Sequence, residues 1–394
     1  MGPEDEGHPS FRSEDLRYMQ RALDLAIRAE GRTAPNPMVG AVIVRDGRVL
    51  GEGWHRRAGG PHAEIEALRA ADAAGEDVRG AVMYVSLEPC CHHGKTPPCT
   101  AALIEAGIGI VYYAVPDENP RVAGGGHRQL VEAGIHVVCG PLETEARFLN
   151  RAFFHFISKR RPWVIAKYAM SLDGRIATHT GSSQWISGAE ALTEAHRLRD
   201  RCDGILVGAG TALADDPRLT VRLPDTPVAH PTRILLDSRG RVPLGANLFD
   251  PDLPGATWVA TTEAMDPAHR AALTARGVVV ILCETDGSGR VRLVHLLEAL
   301  ARRGVVTLMV EGGSAVVGSF FSQGLIQETW VVVGGKLIGG TAAPGPIGGV
   351  GVALIGDAPA VDLFEGRPVG GDFLLRALVR PPKLSTKNTK KHEK

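Results

Sequence analysis

Two clusters of metal-binding residue types are useful to one another only if the fold brings two helix starts to a single point. One is GGPHAEIEAL (59–68) and the other is LEPCCHHGKTPPC (87–99). In the first, His62 and Glu64 are two positions apart, and helix-interior positions so spaced face different ways. They can serve one centre only in the opening turn of the helix that Ile65, Leu68 and Ala71 continue, and Gly-Gly-Pro before His62 suits such a start. In the second, Cys90 and Cys99 each follow a proline, a residue suited to the first helical position. This predicts Cys99 in the opening turn of a helix over 100–106, where unpaired N–H groups and the helix dipole favour thiolate.

One imidazole (His62) and two thiolates (Cys90 and Cys99) neutralise Zn²⁺ and leave a fourth tetrahedral position for water. Glu64 is a poor zinc ligand beside thiolates but well suited to carrying protons to and from that water. The set is the apparatus of hydrolytic deamination, in which activated water attacks an amidine-like carbon and the carboxyl gives the departing ammonia its proton. A closed, structural zinc site is the alternative; it takes Cys91 or His92 as fourth ligand and leaves Glu64 without a role. Otherwise Cys91, His92 and His93 are loop residues beside substrate or solvent. Cys139, Cys202 and Cys283 stand singly in apolar segments, as buried fillers do, so a reducing compartment is expected rather than a disulfide framework.

At 394 residues the chain is too long for one ordinary core, and two domains are expected. Lys+Arg and Asp+Glu both number 44, so no positive field draws nucleic acid or an anionic membrane. No apolar run reaches the ~18 residues that span a bilayer, and the start MGPEDEGHPSFRSED lacks the basic-then-apolar pattern of a signal peptide. A cytoplasmic protein follows. Within 14–150, helices and strands alternate around the Asp46-Gly47 hairpin signature, which implies a three-layer α/β sandwich on a mixed sheet. Residues 1–13 are expected to be a flexible segment, 151–162 a linker, 163–382 a second α/β domain and 383–394 a disordered polar tail. The Gly/Pro-rich stretch 339–351 reads as loop.

The second domain has no strand followed by GxGxxG, a helix and a later acid, which argues against an ordinary dinucleotide-binding site. Its better signal is VEGGSAVVGSF (310–320), where a strand ends, Gly312 and Gly313 bare the backbone and a helix begins. Such a junction presents N–H groups to phosphate.

HAE with PC-x8-C is a variant of the zinc-deaminase signature H-x-E…P-C-x-x-C, and it resembles the deaminase domain of the bifunctional riboflavin-biosynthesis deaminase/reductases. TAPNPMVGAVIV (33–44) and DENPRVAGGG (117–126) are similar to that family as well. So are KYAMSLDGRIA (167–177), GSSQWIS (181–187), GTALADDPRLTVR (210–222), RILLDSRGRVP (233–243) and VEGGS (310–314) in its reductase domain. The resemblance runs over about 15–380 in the family's order. It implies a cytidine-deaminase-like three-layer α/β/α domain followed by a dihydrofolate-reductase-like α/β domain.

It further implies Zn²⁺ and NADPH as cofactors and a small phosphorylated pyrimidine as substrate. That substrate is 2,5-diamino-6-(5-phosphoribosylamino)pyrimidin-4-one, which loses its 2-amino group before its ribosyl unit is reduced to ribityl. No nucleic-acid or membrane partner is expected, and a homo-oligomer, dimer or tetramer, is. Carried over residue by residue, Ala169, Trp185, Thr211, Asp215 and Ser238 line the NADPH site with the turn Gly313, Ser314, Ala315, Val316, Val317, Gly318 and Ser319. Ser183, Arg199, Leu219, Arg222 and Glu311 hold the substrate of the second step. Lys167 is placed to polarise the group that accepts hydride, Asn36 to touch the substrate of the first step, and His92 to face it. Local alternatives stay open: Arg199 pairing with Asp200 or Glu194, Trp185 in the core, Asp173 as a turn former. After strand 328–333 the family shows Ala-Pro before Lys-Leu, whereas this chain has GGKLIGG (334–340).

Overall fold

The Asp46-Gly47 pair closes a hairpin. Both residues have positive φ, and β1 (Gly40–Arg45) and β2 (Arg48–Trp54) pair antiparallel on either side. In the computed structural model, which describes residues 11–92, 97–119, 122–224 and 227–380, the chain divides into two units between Arg161 and Pro162. His93 and the expected tail 383–394 lie outside the described residues. Of the segment 1–13, residues 11–13 are described, and Ser13 already opens a helix.

The first unit runs α1 (Ser13–Ala26), β1, β2, α2 (Ala63–Ala73), β3 (Val82–Val85), α3 (Cys99–Glu105), β4 (Ile110–Tyr113), α4 (Gly125–Glu132), β5 (His136–Cys139), α5 (Glu143–Leu149) and α6 (Arg151–Lys159). Its sheet has the order β2-β1-β3-β4-β5, antiparallel at β2-β1-β3 and parallel from β3 to β5. Strand alternation sorts the two cores. Ala41 and Ile43 join Ala63, Ala67 and Ala71 of α2 and Leu103 of α3, while Val42 and Val44 join Tyr18, Met19 and Ala22 of α1. This is the expected three-layer α/β sandwich.

Glycine in β2 sets how closely α2 lies on the sheet. A Cβ on Gly53 would stand 2.4 Å from the Ala67 nitrogen, and one on Gly51 2.3 Å from the Ala67 carbonyl oxygen. The alanine stripe of α2 therefore rests on bare backbone, which fixes where its first turn ends up. Segment 151–162 is corrected: it is no linker but helix α6 over Arg151–Lys159, with Phe153 and Phe154 buried in the core that faces α1. Phe153, Phe154 and Ile157 form an apolar stripe with area to bury, and the basic residues 159–161 at its end masked that signal.

The second unit runs β6 (Trp163–Ser171), α7 (Ala189–Arg201), β7 (Gly204–Gly208), α8 (Ala209–Asp215), β8 (Thr232–Leu236), β9 (Thr257–Thr261), α9 (Pro267–Ala275), β10 (Val279–Leu282), α10 (Leu293–Ala301), β11 (Thr307–Val310), α11 (Ser314–Ser322), β12 (Glu328–Gly334), β13 (Val361–Val369) and β14 (Asp372–Val379). The sheet order is β10-β9-β8-β7-β11-β6-β12-β14-β13, parallel from β10 to β12 and antiparallel through β14 and β13. Its parallel strands are buried between two apolar clusters, one on each face. The loop expected over 339–351 contains neither helix nor strand.

Candidate active sites

His62 is the N-cap residue of α2, in extended conformation, and Glu64 lies in the first turn, 3% exposed. Pro98 caps α3 and Cys99 is its first residue, so the proline stands one position before the first helical position that the sequence pattern implies. The Cys99 N–H donates to Cys90 Sγ at 3.4 Å and the Thr100 N–H to the Cys90 carbonyl at 3.2 Å, so the two cysteine segments are clipped together. His62 Nδ1 is 3.5 Å from Cys90 Sγ and 3.3 Å from Cys99 Sγ. All three ligand atoms lie within 4.8 Å of one another, the one such metal-binding group among the described residues.

A tetrahedral zinc with bonds of about 2.3 Å to sulfur and about 2.05 Å to nitrogen requires N···S separations of about 3.5 Å. The residues therefore fit zinc in both chemistry and spacing. Hydrogen bonds that Cys90 accepts from Cys99 and His62 outweigh burial and hold the Cys90 thiol down to about 4, whereas the same Cys99–Cys90 bond, with burial, pushes the Cys99 thiol far up. The pair thus keeps a single proton, which a bound dication displaces. Burial, reinforced by the Cys90 charge, pushes the Glu64 carboxyl up to about 7. A carboxyl so poised can both take and give a proton near neutrality.

A cavity of about 390 Å³ opens onto His62, Glu64 and Cys90 and is lined also by Asn36, His55 and His92. Asn36 Nδ2 lies 3.2 Å from His55 Nε2, whose ring anchors through Nδ1 on the Pro61 carbonyl at 2.9 Å. His92 Nδ1 is buried with no partner among the described residues, a polar atom left for a ligand. Cys91 stands apart from the metal group: its Sγ approaches the Val122 carbonyl, and a Cβ on Gly125 would come within 2.7 Å of it.

In the second unit a cavity of about 990 Å³ brings together Lys167, Ala169, Ser183, Trp185, Arg199, Thr211, Asp215, Leu219, Arg222, Glu311, Gly313, Ser314, Ala315 and Val317. Glu311, just beyond β11, receives Lys167 Nζ at 2.6 Å on one oxygen and Arg199 at 2.6 and 3.0 Å on the other. Burial raises the Glu311 carboxyl, but Arg199 and Lys167 outweigh it and hold it at about 2. Arg199 pairs with Glu311 rather than with Asp200 or Glu194. Trp185 is 60% exposed and is no core residue. Burial, with Arg199 and Arg218 nearby, lowers the Arg222 guanidinium, and the three arginines grouped in this wall suit a phosphate. Arg218, also in its wall, is a residue that sequence reasoning missed although it lies within GTALADDPRLTVR.

A neighbouring cavity of about 440 Å³ shares Thr211, Gly313 and Ala315 with the larger one and adds Ser238, Val316, Ser319, Arg239, Arg241 and Arg290. Gly313 has φ of +58°, and a Cβ there would meet Thr211 Oγ1 at 3.0 Å, so the strand-to-helix turn is a backbone cradle that a side chain would fill. Of the expected cofactor residues, Gly318 lines neither cavity; its Cα faces the Gly348 carbonyl, where a Cβ would stand at 2.1 Å. At 100° per residue Gly318 is turned away from the helical face that carries Ala315, Val316 and Ser319. Asp173 lies outside both cavities and ties down the departing segment, accepting from Ser171 Oγ and from the N–H groups of Ile338 and Gly339.

Residues 12–115 match the family model of the cytidine and deoxycytidylate deaminase zinc-binding region, and residues 162–374 match that of the RibD C-terminal domain. The chain is 43% identical over 366 residues to the riboflavin biosynthesis protein RibD of Bacillus amyloliquefaciens, covering 93% of this chain and 96% of that one. It is 40% identical over 373 residues to the Escherichia coli K12 protein of the same description, covering 92% and 98%. Among solved structures, Acinetobacter baumannii RibD superposes with a TM-score of 0.83 at 36% identity, over 93% of this chain and 99% of that one. A Thermotoga maritima diaminohydroxyphosphoribosylaminopyrimidine deaminase/5-amino-6-(5-phosphoribosylamino)uracil reductase gives 0.79 at 36% identity, with the same coverage. The cytidine-deaminase-like and dihydrofolate-reductase-like units are thus a zinc deaminase and an NADPH-dependent reductase. The chain belongs to the RibD family, the bifunctional deaminase/reductases of riboflavin biosynthesis.

Proposed function

We propose that His62, Cys90 and Cys99 hold the zinc of the first step and that Glu64 moves its protons. The observation that carries this is a buried carboxyl, held near neutrality in its proton affinity, beside the three-ligand group. The substrate is 2,5-diamino-6-(5-phosphoribosylamino)pyrimidin-4-one. Bound zinc supplies the polarisation that makes water nucleophilic at neutral pH. Glu64 carries the protons of the attacking water to the substrate. The C2–O bond forms first, the ring nitrogen of the C=N bond taking the electron pair and one proton; the C2–N bond then breaks as the second water proton reaches the amino group, and ammonia leaves. Asn36, oriented by His55, and His92 fix the ring in the cavity.

In the second step NADPH supplies hydride to C1′ of the opened ribosyl unit, which becomes ribityl. Lys167, steadied by Glu311, donates a hydrogen bond to the group that gains electrons. Ser183, Arg199, Leu219 and Arg222 hold the sugar phosphate; the grouping of Arg199, Arg218 and Arg222 in one wall supports this. Ala169, Trp185, Thr211, Asp215 and the first turn of α11 would hold NADPH. Ser238, Val316 and Ser319 would extend that site, beside Arg239, Arg241 and Arg290, whose charges would suit the 2′-phosphate.

The deciding experiment supplies the diaminopyrimidine nucleotide and NADPH, and follows ammonia together with nicotinamide absorbance. Both signals are expected, in that order. Ammonia without NADPH oxidation rejects the second half, and no ammonia rejects the first. A cytoplasmic enzyme without nucleic-acid partners is in keeping with the balanced charge. A homo-oligomer is supported by the exposed Val361 and Leu363 on edge strand β13. Sedimentation should then give a mass of two or four chains, and a single-chain mass rejects it.

A further inference from the structure

The side chain of Glu88 is 3% exposed and ends in four hydrogen bonds, all from backbone N–H groups. Oε1 accepts from Gly126 at 3.0 Å and His127 at 3.1 Å, and Oε2 accepts from Asp117 at 3.2 Å and Gly124 at 3.1 Å. A carboxylate with both oxygens so engaged has little capacity left for substrate or proton transfer, and it is absent from the metal group. Its place in the chain gives it another use. Two residues on is Cys90, and the backbone it grips belongs to the stretch whose Asp117, Asn119 and Val122 wall the deaminase cavity.

The glycines of that stretch serve the same contact. A Cβ on Gly126 would stand 2.0 Å from the Pro89 carbonyl oxygen and one on Gly125 2.7 Å from Cys91 Sγ, so this backbone lies directly on residues 89–91. Gly124 has φ of +75° and caps α4. Four convergent N–H groups and two glycine contacts thus bolt the substrate wall to the segment that carries a metal ligand.

We propose that Glu88 is a positioning residue of the deaminase, holding the 117–119 and 122–127 backbone in register with Cys90 so that substrate meets the metal and Glu64 at the reacting distance. This rests on the function proposed above. A glutamine at this position keeps one acceptor but turns its NH₂ toward two N–H donors, so that one pair of bonds is lost and those donors are left buried without partners. The wall then shifts while the three metal ligands stay in place.

The test uses the full zinc-loaded chain and compares wild type with Glu88→Gln and Gly126→Ala. Metal content, deaminase KM and kcat for the diaminopyrimidine nucleotide, and NADPH oxidation with the deaminated nucleotide are measured. Wild-type ammonia release is the check on the underlying function, and its failure is separate from any result with the variants. Expected for Glu88→Gln is full zinc, unchanged reduction, and a KM raised about tenfold to hundredfold with a smaller fall in kcat. Gly126→Ala, which keeps the carboxylate, should raise KM in the same way and decides the matter if the glutamine variant does not fold. Zinc loss in step with activity, or a normal KM in a folded variant, overturns the proposal.

Discussion

Glu64 is buried and the Glu311 side chain is 15% exposed, yet their surroundings drive the two carboxylates in opposite directions. Burial and the Cys90 charge keep the proton on Glu64 up to about 7, whereas Arg199 and Lys167 strip it from Glu311 down to about 2. The first suits proton transfer and the second suits permanent charge. Glu64→Gln should keep its zinc and lose deaminase kcat by about 10²–10⁴-fold, read from metal analysis and ammonia release. For Glu311 the folded value lies below the ordinary 4.5, so its stabilising contribution is complete above that value and lost as pH falls from about 4.5 toward 2. Unfolding free energies at pH 7 and near pH 2 should show Glu311→Gln less stable than wild type at neutrality, the gap narrowing in acid by up to about 3 kcal/mol.

At the scale of elements, the deaminase site is where two helix starts meet, and a strand beneath one of them decides the approach. Gly53→Ala puts a methyl 2.4 Å from the Ala67 nitrogen, backbone that cannot turn aside. It should lift the first turn of α2, cost about 1–3 kcal/mol of stability and weaken zinc retention, checked by thermal unfolding and metal content. The helix starts were legible because proline, the His-x-Glu spacing and the glycines are local signals. Strand β13 was not. A bulge between Leu363 and Glu365 breaks its alternation, and Pro368 interrupts it again, although the Gly370-Gly371 pair before β14 is itself a hairpin signal. Helix α6 was hidden for a different reason: its stability comes from burying Phe153 and Phe154, and tertiary contacts outweigh a weak local pattern.

Over the whole molecule, each unit has its own sheet, its own cores and its own site, and this predicts independent loss. A chelator should abolish ammonia release and leave NADPH oxidation with the deaminated nucleotide intact, measured side by side on one preparation. No helix among the described residues is long and apolar enough to cross a membrane. The chemistry of the first site was written in the sequence, since ligand identity and spacing depend on residue type and on turns a few residues long. So was the order of the two units, through motifs spread along the chain. Tertiary structure alone decided which charged groups meet in the second unit. Glu311 meets Lys167 across 144 positions and Arg199 across 112, and Glu88 meets its four donors 29 to 38 positions further on and beyond, at 39. Charge pairing and backbone capture at such separations follow from which strands and loops adjoin, and local pattern carries no record of that.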